Sequence, residues 1–161
     1  GSLRYTLVDE GDLVSYRERH LADLGLESVR GKVEFVQGDA CNLKAIHTGY
    51  DLILAANLID RLHSPRKLLD NIHARIKPGG LLVITSPYTW LEEHTAREEW
   101  IGGFKRDGEN FPTLDGLREI LGKHFTLLGE PRALPFVIRE TRRKFQHTSA
   151  EMTIWERNTC A

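Results

Sequence analysis

Residues 50–57, YDLILAAN, and 81–85, LLVIT, decide the fold. Each is a short run that is almost wholly apolar and rich in β-forming residues, the pattern of a parallel-sheet strand buried on both faces. The segment between them opens on Ser64-Pro65, a cap residue followed by a first-turn proline. It continues with Leu68, Leu69, Ile72 and Ile76 at helical spacing and stops at 77-KPGG-80. Strand, helix, strand at this spacing is a crossover unit, and it predicts an α/β three-layer sandwich with a mostly parallel sheet.

Working outward, 3-LRYTLV-8 reads as a strand ending in a turn at 9–11. Asp12 reads as the cap of a helix with Leu13, Tyr16, His20, Leu21 and Leu24 on its inner face, closed by Gly25. VEFVQ at 33–37 is a further short strand, stopped by Gly38-Asp39. Residues 86–112 read as irregular, and Thr113 opens a helix with Leu114, Leu117, Ile120 and Leu121 that stops at Gly122. Residues 125–128 and 152–155 are expected to form a terminal antiparallel pair, with a cationic stretch, RETRRKFQH at 139–147, between them.

The 161 residues are expected to form one domain, 1–161. They carry 22 Lys and Arg against 23 Asp and Glu, so no global field favours nucleic acid or an anionic membrane. No apolar run is long enough to span a bilayer, and nothing at the start reads as a signal peptide. The two cysteines, Cys41 and Cys160, lack metal or disulfide spacing, and the seven histidines show no metal-binding spacing. A reducing cytoplasm and no metal are the corresponding expectations.

In open α/β sheets ligands bind beyond the carboxyl ends of the strands. The residues that matter are therefore three corners: Gly38-Asp39-Ala40, Ala55-Ala56-Asn57 and Ser86-Pro87-Tyr88. A carboxylate at Asp39 can accept from an exocyclic amine while the next backbone N–H donates to a ring nitrogen, which reads an adenine edge. An ordinary Gly-Asp turn accounts for Asp39 equally well. Small residues at 55 and 56 permit close approach to the backbone.

The succession VEFVQGDA, YDLILAANLIDRL, IKPGG, LLVIT resembles the S-adenosylmethionine-dependent methyltransferases of the Rossmann-like class, over about residues 12–156. That resemblance implies S-adenosylmethionine as methyl donor, with Gly38, Asp39 and Ala40 at its adenine and Ala55 and Asn57 beneath its methionine part. AANLIDRL, SPYTWLEE, WIGGFKRDGE and PFVIRETRRKFQHT look more closely like the C-terminal methyltransferase domain of ovothiol A biosynthesis enzymes. Those enzymes methylate an imidazole nitrogen of 5-thiohistidine (4-mercaptohistidine) and carry an iron-dependent sulfoxide synthase region upstream. The implied partner is thus a small imidazole amino acid. Tyr88, Trp90, Glu93 and Arg139 become candidate substrate contacts, matching its flat ring, ammonium and carboxylate. Tyr88 and Asp60, the latter one turn past the 50–57 strand, become candidate catalytic residues. For Tyr88, Trp90, Glu93, Arg139 and Asp60, loop packing, solvation or self-pairing are the competing accounts.

The family's first strand and glycine-rich loop have no counterpart here, since none of the 14 glycines forms GxGxG. Either Asp9 is the acid that grips the ribose, or 3-LRYTLVDEG is an insertion after a second strand that is missing; the latter is favoured. A central strand without its neighbour leaves ladder groups unpaired, each costing about 1–3 kcal/mol. The expectation is therefore an N-terminally truncated domain that is unstable alone or pairs its open edge, and that does not take up cofactor at micromolar concentration.

Overall fold

The computed structural model describes residues 1–159. These divide into two compact units, 1–37 with 136–148, and 38–135 with the chain from 149 onward.

The first unit is built on an antiparallel hairpin, β1 (Ser2–Glu10) and β2 (Leu13–His20). The helix expected from Asp12 onward is therefore a strand. The physical reason is local: Gly11, at φ +52°, and Asp12 form a two-residue turn that sends the chain straight back, a reversal glycine permits without a Cβ clash. Cross-strand pairs then hold the register, Arg4 meeting Glu18 at 3.3 Å. A helix over 13–24 with no core to face has little to offset its nucleation cost. The strand expected at 33–37 does not form either. No strand among the described residues pairs with it, and Phe35 is 94% exposed.

The second unit holds the sheet. The strands are β3 (Tyr50–Ala56), β4 (Ile76–Ser86), β7 (Phe125–Leu127) and β9 (Phe145–Arg157), in the order β3-β4-β9-β7. β3 and β4 are parallel, while β9 runs antiparallel to both β4 and β7, giving the expected terminal antiparallel pair. A strand not anticipated, β8 (Arg132–Arg139), pairs with β9, so the cationic stretch spans the tip and returning arm of a hairpin. The irregular stretch 86–112 contains a small hairpin, β5 (Phe104–Arg106) and β6 (Glu109–Phe111), turned by Asp107-Gly108 at positive φ.

Two helices, α1 (Pro65–Asn71) and α2 (Thr113–Leu121), pack against each other over one face of this sheet. Alternation decides which strand residues they cover. Ile53 and Ala55 of β3, Leu82 and Ile84 of β4, Trp155 of β9 and Phe125 of β7 meet Leu68, Leu69, Leu117, Ile120 and Leu121 in one core. The even-numbered residues of β3 face the other way, with Leu52 53% and Leu54 57% exposed. Burial of this strand on both faces is therefore corrected to burial on one: of three layers, the described residues supply the sheet and one helical layer. Ser64 stands at the N-cap of α1 as expected, but its hydroxyl does not cap; it donates to Glu99 Oε2 at 2.7 Å.

The loop before β5 crosses α2 at backbone contact distance. A Cβ at Gly116 would collide with the Ile101 carbonyl oxygen, so this mid-helix glycine is set by packing against its own helix propensity. Gly116→Ala is expected to destabilise the unit by about 2 kcal/mol, measured as a lower urea midpoint, although alanine is the better helix former.

His73 and His124 stack at 3.9 Å between ring centroids. Burial first, and then the neighbouring His124 and Arg157 charges, hold the His73 imidazole below its ordinary value. The unfolded chain takes up this proton near pH 6.5, the folded chain only at lower pH, so stability falls as pH drops through that window. His73→Gln is expected to flatten the loss of the urea midpoint between pH 7.5 and 5.5; an equal loss in both proteins is the contrary result.

Candidate functional site

The second and third sequence corners meet at the carboxyl ends of β3 and β4. Parallel register places Ala56 beside Thr85, so both strands run out together. The Asn57 N–H donates to Thr85 O at 2.8 Å and to Thr85 Oγ1 at 3.1 Å. Asn57 lies at φ +48° and Tyr88 at φ +53°. Residues other than glycine adopt this conformation at a cost that the surrounding structure must overcome, and such residues cluster at functional sites.

At Asn57 the Thr85 hydrogen bonds overcome it; at Tyr88 Asp60 does, through Ser86. Asp60 sits in a 3₁₀ turn (Ile59–Arg61) just past β3 and is 1% exposed. Its Oδ1 accepts from Ser86 Oγ at 3.0 Å and its Oδ2 from the Thr89 N–H at 3.0 Å. Ser86 Oγ in turn accepts the Tyr88 N–H at 3.0 Å. Arg61 closes the arrangement, with Nη1 3.8 Å from Asp60 Oδ2 and 3.0 Å from Thr89 O. Each oxygen of this buried carboxyl group is met by a donor.

Tyr88 lies half-buried above this clamp. Its hydroxyl donates to Glu151 Oε1 at 2.8 Å. Glu151 stands opposite Ser86 in the β4–β9 ladder, which is what brings a residue 63 positions away under the phenol. Burial chiefly, and then the Glu151 hydrogen bond and the Glu151 and Asp60 charges, push the phenol above its ordinary range, so Tyr88 keeps its proton.

The other expected residues fall as follows. At the first corner Asp39 is exposed, and its Oδ1 accepts the Cys41 N–H at 2.9 Å in a local turn. Cys41 Sγ donates to Ser64 O at 3.4 Å, tying this corner to the start of α1. A pocket of about 230 Å³ opens there; Ala40, Cys41, Lys67 and Arg75 are in its lining, and no residue of the other two corners is. Cys160 lies outside the described residues. Ala55 is in the core, whereas Ala56 and Asn57 are exposed. Trp90 is 8% exposed, its indole N–H donates to Thr113 Oγ1 at 2.9 Å, and it stacks on Trp100. Glu93 is exposed and pairs with His94 at 3.3 Å. Arg139 belongs to the other unit, where its Nη2 lies 3.3 Å from Asp9 Oδ1 and its Nε donates to Thr141 O at 3.0 Å. Asp9 itself also takes a hydrogen bond from Ser15.

Sequence reasoning missed Glu151 altogether, because its place depends on the register of β9 against β4. It found Asp60 by position after the strand, but the two donors that occupy its carboxylate appear only in the fold. Asp60→Ala removes the acceptor of two buried hydrogen bonds to a charged group and is expected to destabilise by roughly 3 kcal/mol, read from the urea midpoint.

A family model described as "Methyltransferase domain" matches residues 9–124. Among solved structures, one described by the conversion of a disulfide bond into a thioacetal group during echinomycin biosynthesis has 16% identity and TM-score 0.51. That alignment covers 77% of this chain and 55% of the other. The N-methyltransferase NodS from Bradyrhizobium japonicum WM9, in complex with S-adenosyl-L-homocysteine, has 17% identity and TM-score 0.46, covering 83% and 61%. A SAM-dependent methyltransferase from Methanosarcina mazei has 15% identity and TM-score 0.48, covering 75% and 65%. The chain thus spans between about half and two thirds of the length of these structures. A search of curated proteins gave no significant match. Parallel β3 and β4 joined through α1, antiparallel β9 beyond them, and the family match over most of the chain agree: it belongs to the methyltransferase domain family, on an α/β Rossmann-like fold.

Proposed function

We propose that the chain is the acceptor-side part of an S-adenosylmethionine-dependent N-methyltransferase, and that its acceptor is the imidazole of 5-thiohistidine in ovothiol A biosynthesis. An iron-dependent sulfoxide synthase region upstream in the same enzyme belongs to this reading. The observation that carries it is the pair of left-handed residues at the carboxyl ends of adjacent parallel strands, Asn57 held by Thr85 and Tyr88 held through Ser86 by the buried Asp60 carboxylate. The runs AANLIDRL, SPYTWLEE and PFVIRETRRKFQHT support the narrower substrate.

Residues of the right kind stand at the corners. Asp39 has a carboxylate oxygen beyond the one engaged by Cys41, and with the Ala40 N–H it would take an adenine edge, next to Gly38. Ala56 and Asn57, exposed at the end of β3, would lie against the methionine part, with Ala55 filling the core behind them. When bound, the cofactor supplies a methyl group activated by a sulfonium centre.

The chain's own contribution is placement. A neutral imidazole already presents a lone pair, so no strong base is required before transfer, and orientation alone is worth about 7–11 kcal/mol. Tyr88, proton retained, would fix the ring. Trp90 sits behind it in the core and supports the loop through Thr113. Glu93, exposed on that loop, would meet the substrate ammonium. Arg139 is engaged by Asp9 within the hairpin unit.

The exposed Leu52 and Leu54 on the uncovered side of β3 favour a second reading, an interaction module of the same fold without catalysis. The intact enzyme discriminates the two. Asp39→Ala is expected to weaken cofactor binding about ten-fold, the loss of one hydrogen bond to a charged group. Tyr88→Ala is expected to lower kcat with cofactor affinity retained. Unchanged kinetics in both variants favours the module.

A further inference from the structure

The Tyr88–Glu151 pair is more than an anchor for a loop. Tyr88 spends its only proton on Glu151 Oε1, at 2.8 Å. A phenol in that state has only lone pairs left to offer, so toward a ligand it acts as a hydrogen-bond acceptor. The carboxylate behind it strengthens that acceptor, as a chain of hydrogen bonds polarises each member. The Glu151 and Asp60 charges, and burial above all, keep the phenol protonated; Arg61 is turned to Asp60 and Thr89 O, and gives Tyr88 no competing charge-assisted donor.

An imidazole has one N–H and one lone-pair nitrogen, and the hydrogen bond made by the first decides which nitrogen is the second. Resting on the methyltransferase reading above, we propose that Glu151 is a positioning residue acting through Tyr88: the phenol oxygen accepts the N–H of an azole substrate, which leaves the opposite ring nitrogen as the one with a free lone pair. The site thereby selects azoles that bear an N–H and sets which ring nitrogen receives the methyl group. Glu151 touches neither reacting atom.

The test compares imidazole with 1-methylimidazole, which lacks the N–H, at pH 8.5 where both are neutral. Binding to the intact protein is followed by ligand-observed NMR. The wild-type protein is expected to prefer imidazole about ten-fold, the upper end of what one neutral hydrogen bond contributes, its acceptor polarised by Glu151. Tyr88→Phe should remove the preference, and Glu151→Gln should reduce it several-fold while leaving 1-methylimidazole binding unchanged. Absorbance titration at 295 nm serves as the spectroscopic control: Tyr88 is expected to resist ionisation in the wild type, and Glu151→Gln should ease it. Equal binding of the two azoles by the wild type, binding of neither, or a preference untouched by Glu151→Gln overturns the proposal. Glu151-dependent preference without methylation of thiohistidine removes the substrate identity and leaves Glu151 its role. Methylation of thiohistidine at the same nitrogen and rate by Glu151→Gln removes that role and leaves the substrate.

Discussion

One buried carboxylate organises the end of the sheet. Asp60 reaches from the chain just past β3 to Ser86 and Thr89 just past β4, and Ser86 passes the hold on to the Tyr88 N–H. Without that acceptor two donors, the Ser86 hydroxyl and the Thr89 N–H, would lose their partner, and Ser86 would no longer be fixed beneath the left-handed turn at Tyr88. The Asp60 carboxylate thus has a structural employment, one hydrogen bond on each oxygen.

The same logic of satisfied groups explains the division of the site residues. Trp90 has its N–H taken by Thr113 and its ring by Trp100, which makes it support. Tyr88 gives its proton to Glu151 and keeps its lone pairs, which makes it an acceptor. Arg139 lies against Asp9 in the hairpin unit, so a residue chosen for its charge is found already paired. Charge type alone does not distinguish a free arginine from an engaged one; the partner does.

Legibility in the sequence followed the range of the forces. β3, α1, the LLVIT part of β4 and α2 were readable because apolar periodicity and the Ser64-Pro65 signal are local, whereas KPGG, read as a helix stop after Ile76, lies with Ile76 inside β4, the helix having ended at Asn71. The hairpins β1–β2 and β5–β6 were readable in principle from Gly11-Asp12 and Asp107-Gly108, turn pairs that outweigh a helical spacing of scattered leucines. β8 was not, since its residues, exposed almost throughout, carry no alternation that a core enforces.

By itself the sequence determined the class of the fold, the order of β3, α1, β4 and α2, and the two corners at the ends of β3 and β4, since these depend on neighbours a few positions apart. Tertiary structure alone decided that one face of β3 stays open, that Asp60 is a clamp, and that Glu151 lies under Tyr88. Each of those turns on register between segments distant in the chain, and register is set by the packing of whole elements, which no local stretch of residues encodes.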